Sequence, residues 1–263
     1  MKARISMCLI VMALETHPQY RLILAANRDE FFSRQAQKTH FWGEYPGILA
    51  GRDLEQGGTW LGVSQKGMFG AITNYRDPAH HNSALQSRGR IITEYLSGYC
   101  SAAEYMGTLS SGGTRYNGFN LIAGDNKEVW YYSNYCDRGQ KLKPGIYGLS
   151  NSLLDVAWPK VRLVKKKMEN LLKTWRGEPE ELLLMLADKT LPADSELPST
   201  GVSLEWERRL APIFIDCRDG YGTRASTILT IAYNGTVNLI ERTFFPDGEW
   251  EEIAHEFVAA GAC

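Results

Sequence analysis

The sequence has no long apolar run. None of its apolar stretches approaches the ~18 residues that a helix needs to cross a bilayer, so we expect no membrane-spanning segment. The stretch Ile5–Leu14 follows Lys2 and Arg4, as in a secretory signal. It leads into Glu15-Thr16-His17-Pro18, however, and not into small residues at a cleavage site. The pattern therefore favours a cytoplasmic protein.

An excess of charge of one sign is also absent. The chain has 263 residues, with 29 Lys and Arg against 30 Asp and Glu, which gives a formal charge of -1 and a pI near 6.5. This balance supplies no field that would attract nucleic acid or an anionic membrane. A local exception, the basic segment 160–176, is interleaved with apolar residues, as on an amphipathic helix. We prefer that interpretation to a nucleic-acid-binding patch.

Cysteine and histidine are few and scattered. The five cysteines are odd in number and far apart, which excludes a disulfide framework and a C-x-x-C metal site and indicates free thiols. None of the five histidines has a metal-ligand spacing to Cys, Asp or Glu, so we expect no structural metal site, and no nucleotide-binding motif is evident. Low-complexity linkers and internal repeats are missing too, which favours one domain over residues 1–263.

The sequence does contain a series of hairpins interrupted by helices. Turn residues separate paired β-rich runs, and Asn234-Gly235 in the last pair is the strongest short-range hairpin signal. The predicted strands are Met7–Leu14 with Tyr20–Ala26, Thr59–Ser64 with Met68–Asn74, Gly118–Ala123 with Glu128–Tyr132, and Ser226–Tyr233 with Val237–Phe244. The predicted helices are Gly89–Leu96, Ala102–Leu109, Trp158–Trp175 and Pro179–Ala187. Successive hairpins imply mostly antiparallel sheets that helices cover, so the expected fold class is α+β.

The first predicted hairpin brings a cysteine and an arginine together. If the chain turns about Pro18, directly paired residues sum to about 36, because antiparallel pairing keeps that sum constant. Cys8 then lies opposite Arg28 on the same face of the sheet, whereas a slip of one residue would put Arg28 on the other face. We expect the guanidinium group of Arg28 to lower the pKa of Cys8. Asp29 follows directly and could bind an ammonium group near residue 7 or 8.

The same segment carries a family resemblance. Met7-Cys8-Leu9-Ile10 and Ala26-Asn27-Arg28-Asp29-Glu30-Phe31 resemble the NRDE family, which is named for that tetrapeptide and is also known as the transport and Golgi organization protein 2 family. The resemblance continues in order to about residue 227. Its further blocks are Leu49-Ala50-Gly51-Arg52-Asp53, Gly57-Gly58-Thr59-Trp60-Leu61-Gly62, Ile72-Thr73-Asn74-Tyr75-Arg76, Gly148-Leu149-Ser150-Asn151 and Gly222-Thr223-Arg224-Ala225-Ser226-Thr227.

The NRDE family is similar in turn to cysteine N-terminal-nucleophile hydrolases of the bile-salt hydrolase and penicillin V acylase type. This resemblance implies a four-layer αββα sandwich, in agreement with the hairpins and helices above. It also implies a catalytic set, which position and motif match here to Cys8 as nucleophile, Arg28 and Asp29 beside it, Asn151 with Asn74 for the oxyanion, and a distal Arg224.

One departure from those hydrolases bears on the chemistry. They use the free α-amine of an N-terminal cysteine, with an intrinsic pKa of about 8, to shuttle the proton. Cys8 is the eighth residue of this sequence. Either Met7 is the true initiator and is later removed, or residues 1–7 are removed as a propeptide. Without one of these events the thiol has no base of its own.

Three functions remain open. The family resemblance implies a protein that carries haem between haem donor and acceptor proteins, and the lack of C-x-x-C-H implies non-covalent binding, with Cys8, His80 and His81 as axial candidates. The residues themselves favour a cysteine amidohydrolase or acyltransferase acting on a small amide, ester or thioester. The third function is binding of acyl or lipid-like ligands on a hydrolase scaffold. The residues expected to contact the ligand are Asn27, Trp60 and Tyr75.

Each of these residues also has a purely structural interpretation. Cys8 stands in an apolar strand, where a buried cysteine is common. The segment 27–30 resembles a polar strand end that fixes a turn by side-chain hydrogen bonds. Arg224 is equally well explained as a tie between sheets. The residue types alone leave both interpretations standing.

Overall fold

Strands and helices alternate along the chain in a hairpin-rich order. The computed structural model describes residues 7–98, 100–112, 115–136 and 138–260. The strands are β1 Met7–Leu14, β2 Tyr20–Phe31, β3 Ala36–Phe41, β4 Ile48–Asp53, β5 Leu61–Ser64, β6 Phe69–Asn74, β7 Phe119–Gly124, β8 Val129–Ser133, β9 Arg138–Lys141, β10 Gly145–Leu149, β11 Tyr221–Ala232, β12 Thr236–Phe244 and β13 Trp250–Val258. The α-helices are α1 Gly89–Ser97, α2 Ala102–Ser110, α3 Pro159–Leu171, α4 Pro179–Leu186 and α5 Leu204–Leu210. Within the described ranges, no helix is both long enough and apolar enough to span a membrane.

One sheet has six antiparallel strands in the order β10-β1-β2-β11-β12-β13. Its central strands β2 and β11 are the longest, with 12 residues each. The hairpin of β1 and β2 pairs Cys8 with Arg28 and Met7 with Asp29. The predicted register is therefore confirmed, and it decides which side chains share a face, because successive residues of a strand point to opposite sides.

The other sheet has seven strands in chain order, from β3 to β9. Each strand pairs antiparallel with the next, so the sheet is a meander. The helices α1 and α2 are inserted between β6 and β7 and cover the outer face of this sheet with a buried apolar layer that includes Ile92, Tyr95 and Met106. Gly89, the first residue of α1, and Asn74, the last residue of β6, line the same cleft.

The two sheets pack face to face over the central core. Ile10, Met12 and Leu24 of the six-stranded sheet belong to the same buried cluster as Leu49 and Val63 of the seven-stranded sheet. The alternate residues of β1, Leu9 and Val11, pack instead against α3 and α4. Helix, sheet, sheet and helix thus form four layers, which is the expected αββα sandwich. Because both faces of β1 are covered, its sequence is apolar without alternation.

The basic segment forms a helix, as predicted. The buried face of α3 includes Val161, Val164 and Met168, while Lys165 and Lys167 form ion pairs with Asp155 and Asp188 at the surface. The amphipathic interpretation is therefore confirmed. A different lysine of the same helix, Lys160, is buried, with 3% of its surface exposed.

The predicted end of the second strand was wrong. β2 continues from Ala26 to Phe31, because β11 pairs with this polar extension as well. The extension carries the NRDE tetrapeptide. The strands β3, β4, β9, β10 and β13 and the helix α5 were not predicted. Three of the edge strands, β3, β9 and β13, are rich in polar residues and lack the strict apolar alternation on which the prediction depended.

Candidate functional site

A cleft of about 280 Å³ opens above the Cys8–Arg28 strand pair. Cys8 and Arg28 contribute its floor from the six-stranded sheet, while Trp60, Ile72 and Asn74 line it from the seven-stranded sheet. The cleft thus lies where the two sheets meet. The loop before α1 completes it, with a set of lining residues that includes His81, Gln86, Ser87 and Arg88.

Both arginines and carboxylates line this cleft. The guanidinium carbon of Arg28 lies 4.4 Å from the centre of the Trp60 ring, and its Nη2 lies 3.4 Å from Oδ2 of Asp53. Arg34 binds the same Asp53 oxygen at 2.5 Å and faces Glu30 at 3.7 Å. Since Arg88 is the third arginine of the lining, three cations face two carboxylates there. The cleft therefore favours an anionic ligand.

Arg88 shows how strongly the cleft wall is desolvated. Burial lowers the pKa of its guanidinium to about 10, and the neighbouring positive charge of Arg34 acts in the same direction. The side chain donates a hydrogen bond to the carbonyl oxygen of Gly118 at 3.0 Å. Arg88 remains a cation at neutral pH.

The Cys8 thiol is not activated. Burial, together with the negative charge of Asp29, raises its pKa to about 12, although the positive charge of Arg28 acts in the opposite direction. Our expectation that Arg28 would produce a low pKa is wrong, because the desolvation of the thiol outweighs the attraction of one guanidinium group. At neutral pH the thiol is protonated, although Cys8 itself is only half-buried.

Asn151 fixes the start of β1 beside the cleft. Its Oδ1 accepts a hydrogen bond from the Cys8 backbone N–H at 3.3 Å, and its Nδ2 donates to the Asn74 carbonyl at 2.8 Å. The hydroxyl of Ser150 donates to the Cys8 carbonyl at 3.1 Å. Asn151 thus joins the ends of β1 and β6. The Cys8 nitrogen in this arrangement is a peptide amide that donates a hydrogen bond, and such a nitrogen cannot act as a base.

Two residues of the NRDE tetrapeptide face away from the cleft. Asn27 donates through Nδ2 to the carbonyls of Leu186 and Ile213, at 2.9 and 2.8 Å, and accepts from the hydroxyl of Ser226 at 2.6 Å. The side chain therefore ties β2 to α4 and to β11, and it is fully buried. The structure places this expected ligand contact on the helix side of the sheet.

Asp29 lies on that same helix side. Its Oδ1 accepts a hydrogen bond from Thr223 Oγ1 at 2.7 Å, and burial raises its pKa to about 6. The charge that opposes this rise most strongly is that of Lys160 on α3. The sequence analysis missed Lys160, because it stands among other basic residues of an amphipathic helix. Its position in the first turn of the helix, between Pro159 and the apolar Val161, was the only feature of the sequence that could have indicated its burial.

Three further predicted residues lie away from the cleft lining. Arg224 donates through Nη1 to the carbonyls of Phe31 and Arg34 at 3.1 and 2.9 Å, which supports the structural interpretation of a tie. Tyr75 stacks on another tyrosine, with ring centres 3.7 Å apart. The His80 side chain is 82% exposed. The predicted residues that do line the cleft are Cys8, Arg28, Trp60, Asn74 and His81.

A sequence model of the family described as Transport and Golgi organisation 2 matches residues 7–246. The chain belongs to this family. It is the NRDE family of the sequence analysis, so that recognition is confirmed.

Relatives in this family match the chain along almost its whole length. The Transport and Golgi organization protein 2 homologues of Bos taurus and Homo sapiens are each 35% identical to it, over 95% of this chain and 99% of theirs. Transport and Golgi organization protein 2 of Drosophila melanogaster is 29% identical, over 94% of this chain and 96% of its own.

A solved structure shares the fold of this chain. The N-acylethanolamine-hydrolyzing acid amidase orthologue of Caenorhabditis elegans aligns with a TM-score of 0.51, over 84% of this chain and 92% of the amidase. The two sequences are 12% identical. At that identity the likeness concerns the fold alone, and the amidase activity belongs to the nematode protein.

Proposed function

We propose that this chain is a non-covalent haem carrier of the cytoplasm, which receives haem in the Cys8 cleft and passes it from donor to acceptor proteins. The observation that carries the proposal is the lining of one cleft by an imidazole, His81, together with three arginines. Haem requires both kinds of group, because its iron takes an axial ligand and its two propionates are anions.

His81 is the better axial ligand of the two candidates in the cleft. A neutral imidazole binds iron without losing a proton, whereas a thiol must be deprotonated first. The raised pKa of Cys8, about 12, makes that deprotonation costly. Arg34 and Arg88 are the propionate partners in this proposal.

The size of the cleft suits reversible carriage. At about 280 Å³ it is just below the ~300 Å³ at which pockets begin to enclose a drug-sized ligand. Only one edge of a porphyrin fits inside such a space, and the rest of the macrocycle stays accessible to an acceptor protein. The charged side chains in the lining argue in the same direction, since a permanent haem pocket is mainly apolar.

Haem titration tests this proposal. The unmodified chain is expected to shift the Soret band of haemin to that of an imidazole complex, and His81→Ala is expected to abolish the shift. His80→Ala is the matched control, because the adjacent imidazole is exposed and binds Asp77 at 2.8 Å outside the cleft. An unchanged Soret spectrum in the His81→Ala variant would refute the assignment of His81. Loss of the band in Cys8→Ala alone would instead identify the Cys8 thiol as the axial ligand.

A second candidate function is favoured by the juxtaposition of Cys8, Arg28 and Asn74. These are the residue types of a cysteine amidohydrolase or acyltransferase, and such an enzyme needs a free amine on Cys8. A chain produced with Cys8 as its first residue is expected to hydrolyse small amides, esters or thioesters only under this hypothesis. The same chain with Ala at position 8 is the control. Haem binding without turnover in both chains would exclude the enzyme.

Binding of an acyl or lipid-like ligand is the remaining candidate. The arginines of the cleft would bind the carboxylate of such a ligand as readily as a propionate. A competition experiment between haemin and a fatty acid distinguishes these two ligands. Displacement of bound haemin by a micromolar fatty acid would favour the acyl ligand over haem.

A further inference from the structure

The segment 77–88, which joins β6 to α1, forms one wall of the cleft and is here called the strap. It lies wholly within a described range, and each of its residues is exposed or half-buried. More than half of its residues line the cleft, among them His81, Leu85 and Arg88. Because no side chain of the strap is buried, burial of apolar surface contributes little to holding this wall in place.

Both ends of the strap are fixed to the folded core. Arg76, the residue before it, donates its backbone N–H to the Asn151 carbonyl at 2.8 Å, and its guanidinium group forms a buried ion pair with Glu207 at 2.8 Å. At the other end, α1 buries Ile91 and Ile92 completely. The strap is therefore a segment with two anchored ends and a weakly packed middle.

Polar hydrogen bonds to the segment before β7 fasten the middle of the strap. The Asn82 backbone N–H donates to Oδ1 of Asn117 at 2.8 Å, and Nδ2 of Asn117 donates back to the Asn82 carbonyl, also at 2.8 Å. The Gln86 backbone N–H donates to the Arg115 carbonyl at 3.0 Å. The exposed bonds between Asn82 and Asn117 each contribute little net free energy, because water can replace either partner.

Tyr135 fastens the strap from outside the cleft. Its hydroxyl donates to Oδ2 of Asp77, the first residue of the strap, at 2.6 Å, while its ring stacks on Tyr75 with centres 3.7 Å apart. The same carboxylate oxygen lies 2.8 Å from Nδ1 of His80 within the strap. Tyr135 is exposed and lies outside the cleft lining. A change at its hydroxyl therefore alters the fastening of the strap without touching the ligand site.

We propose that the strap is a gate, which opens by releasing its hydrogen bonds to Asn117, Arg115 and Tyr135, admits the ligand and then closes over it. Closure brings His81 and Arg88 onto the ligand, and a ligand that contacts them stabilises the closed state. The gate deepens the proposed function, on which it rests, by giving the route through which a ligand enters and leaves the cleft. Local opening of this kind is typical of binding loops that few apolar contacts hold in place.

Hydrogen exchange of the full chain tests whether the strap opens independently of the core. Peptides from residues 77–88 are expected to exchange faster than those of β2 while the fold remains intact. Tyr135→Phe removes the bond to Asp77 and keeps the ring stack. It should accelerate exchange in the strap about tenfold, the effect of losing one hydrogen bond to a charged group. Tyr233→Phe is the matched control, because this exposed tyrosine lies in the turn between β11 and β12.

The kinetics of haemin uptake test whether the strap is the gate. In Tyr135→Phe, stopped-flow recording of the Soret band is expected to show both the association rate and the dissociation rate about tenfold higher, because each step requires the open strap. The dissociation constant should stay nearly unchanged, since the closed state still dominates. Weakened ligand contacts would instead raise the dissociation rate alone.

The possible outcomes separate the gate from the carrier function. Strap peptides that exchange no faster than those of β2, or equal exchange in Tyr135→Phe and Tyr233→Phe, would overturn the independent opening of the strap. Accelerated exchange with unchanged haemin rates would show that the ligand enters by another route and would overturn the gate. If the unmodified chain takes up no haemin, the carrier function fails and the gate fails with it, whereas the exchange rates still decide whether the strap opens.

Discussion

At the residue scale, the side chains of the NRDE tetrapeptide point to both faces of β2. Arg28 faces the cleft and packs on Trp60, whereas Asn27 and Asp29 face the helix layer. Adjacent residues of a strand point in opposite directions, so a contiguous motif need not form a contiguous site. The motif serves both the cleft and the structure that supports it.

The titration of Asp29 predicts an unusual dependence of stability on pH. Its folded pKa, about 6, lies above the usual value of 3.8, so the folded chain binds the proton more tightly than the unfolded chain. The contribution of Asp29 to stability therefore grows as pH falls from 7 to 4, by about 2 kcal/mol. Urea denaturation of the unmodified chain and of Asp29→Asn should show their difference in unfolding free energy changing in this direction. A difference that is constant across this range would contradict the raised pKa.

At the element scale, the rim of the cleft depends on a close approach of two backbones. The loop between β4 and β5 touches the first residue of α1, and a Cβ atom added to Gly58 would lie 2.4 Å from the carbonyl carbon of Gly89. No side chain fits between these segments. This close contact between Gly58 and Gly89 brings Thr59 and Trp60 next to the loop that carries Arg88. All three residues line the cleft, so the contact helps to shape it.

Replacement of Gly58 by alanine should therefore damage both stability and the cleft. We expect Gly58→Ala to lower the free energy of unfolding by about 1–3 kcal/mol, because the backbone must move to relieve the overlap. Gly107→Ala is the matched control. Gly107 stands in α2 with open space around it, and there alanine should stabilise the chain by about 0.5–1 kcal/mol. Chemical denaturation measures both, and equal effects of the two variants would disprove the close approach.

At the scale of the whole molecule, the cleft exists only because two sheets pack together. Cys8 and Arg28 come from one sheet, and Trp60 and Asn74 come from the other side of the sandwich. Hydrogen bonds from Asn151 to Asn74 and from Thr73 to Ser150 join the two sides. The site is therefore as stable as the sandwich that holds it.

Hydrogen exchange should reveal this organisation. The amides of β2 and β11 lie at the centre of the six-stranded sheet and are expected to exchange slowest, near the rate of global unfolding. The amides of β9 and β13, each the last strand of its sheet, are expected to exchange earlier. Mass spectrometry of labelled peptides measures both. Protection of β13 equal to that of β2 would contradict its place at an edge.

Local patterns were sufficient to predict the hairpins and the first register. The turn at Pro18 and the apolar runs beside it fix the pairing of Cys8 with Arg28, because pairing in a hairpin follows from chain position alone. The buried apolar face of α3 was also predictable, from the spacing of apolar residues in the sequence. The edge strands were missed, because their partners, and not their own sequences, hold them in the sheet. The continuation of β2 to Phe31 was missed for the same reason.

The sequence by itself determined the family, the αββα class and the residues that meet across the first hairpin. Only the tertiary structure decided how those residues behave. It buried the Cys8 thiol and raised its pKa, turned Asn27 toward α4, and let the charge of Lys160 on a distant helix oppose the rise in the pKa of Asp29. The reason is physical, since pairing depends on neighbours along the chain, whereas desolvation and charge interactions depend on whatever the fold packs around each group.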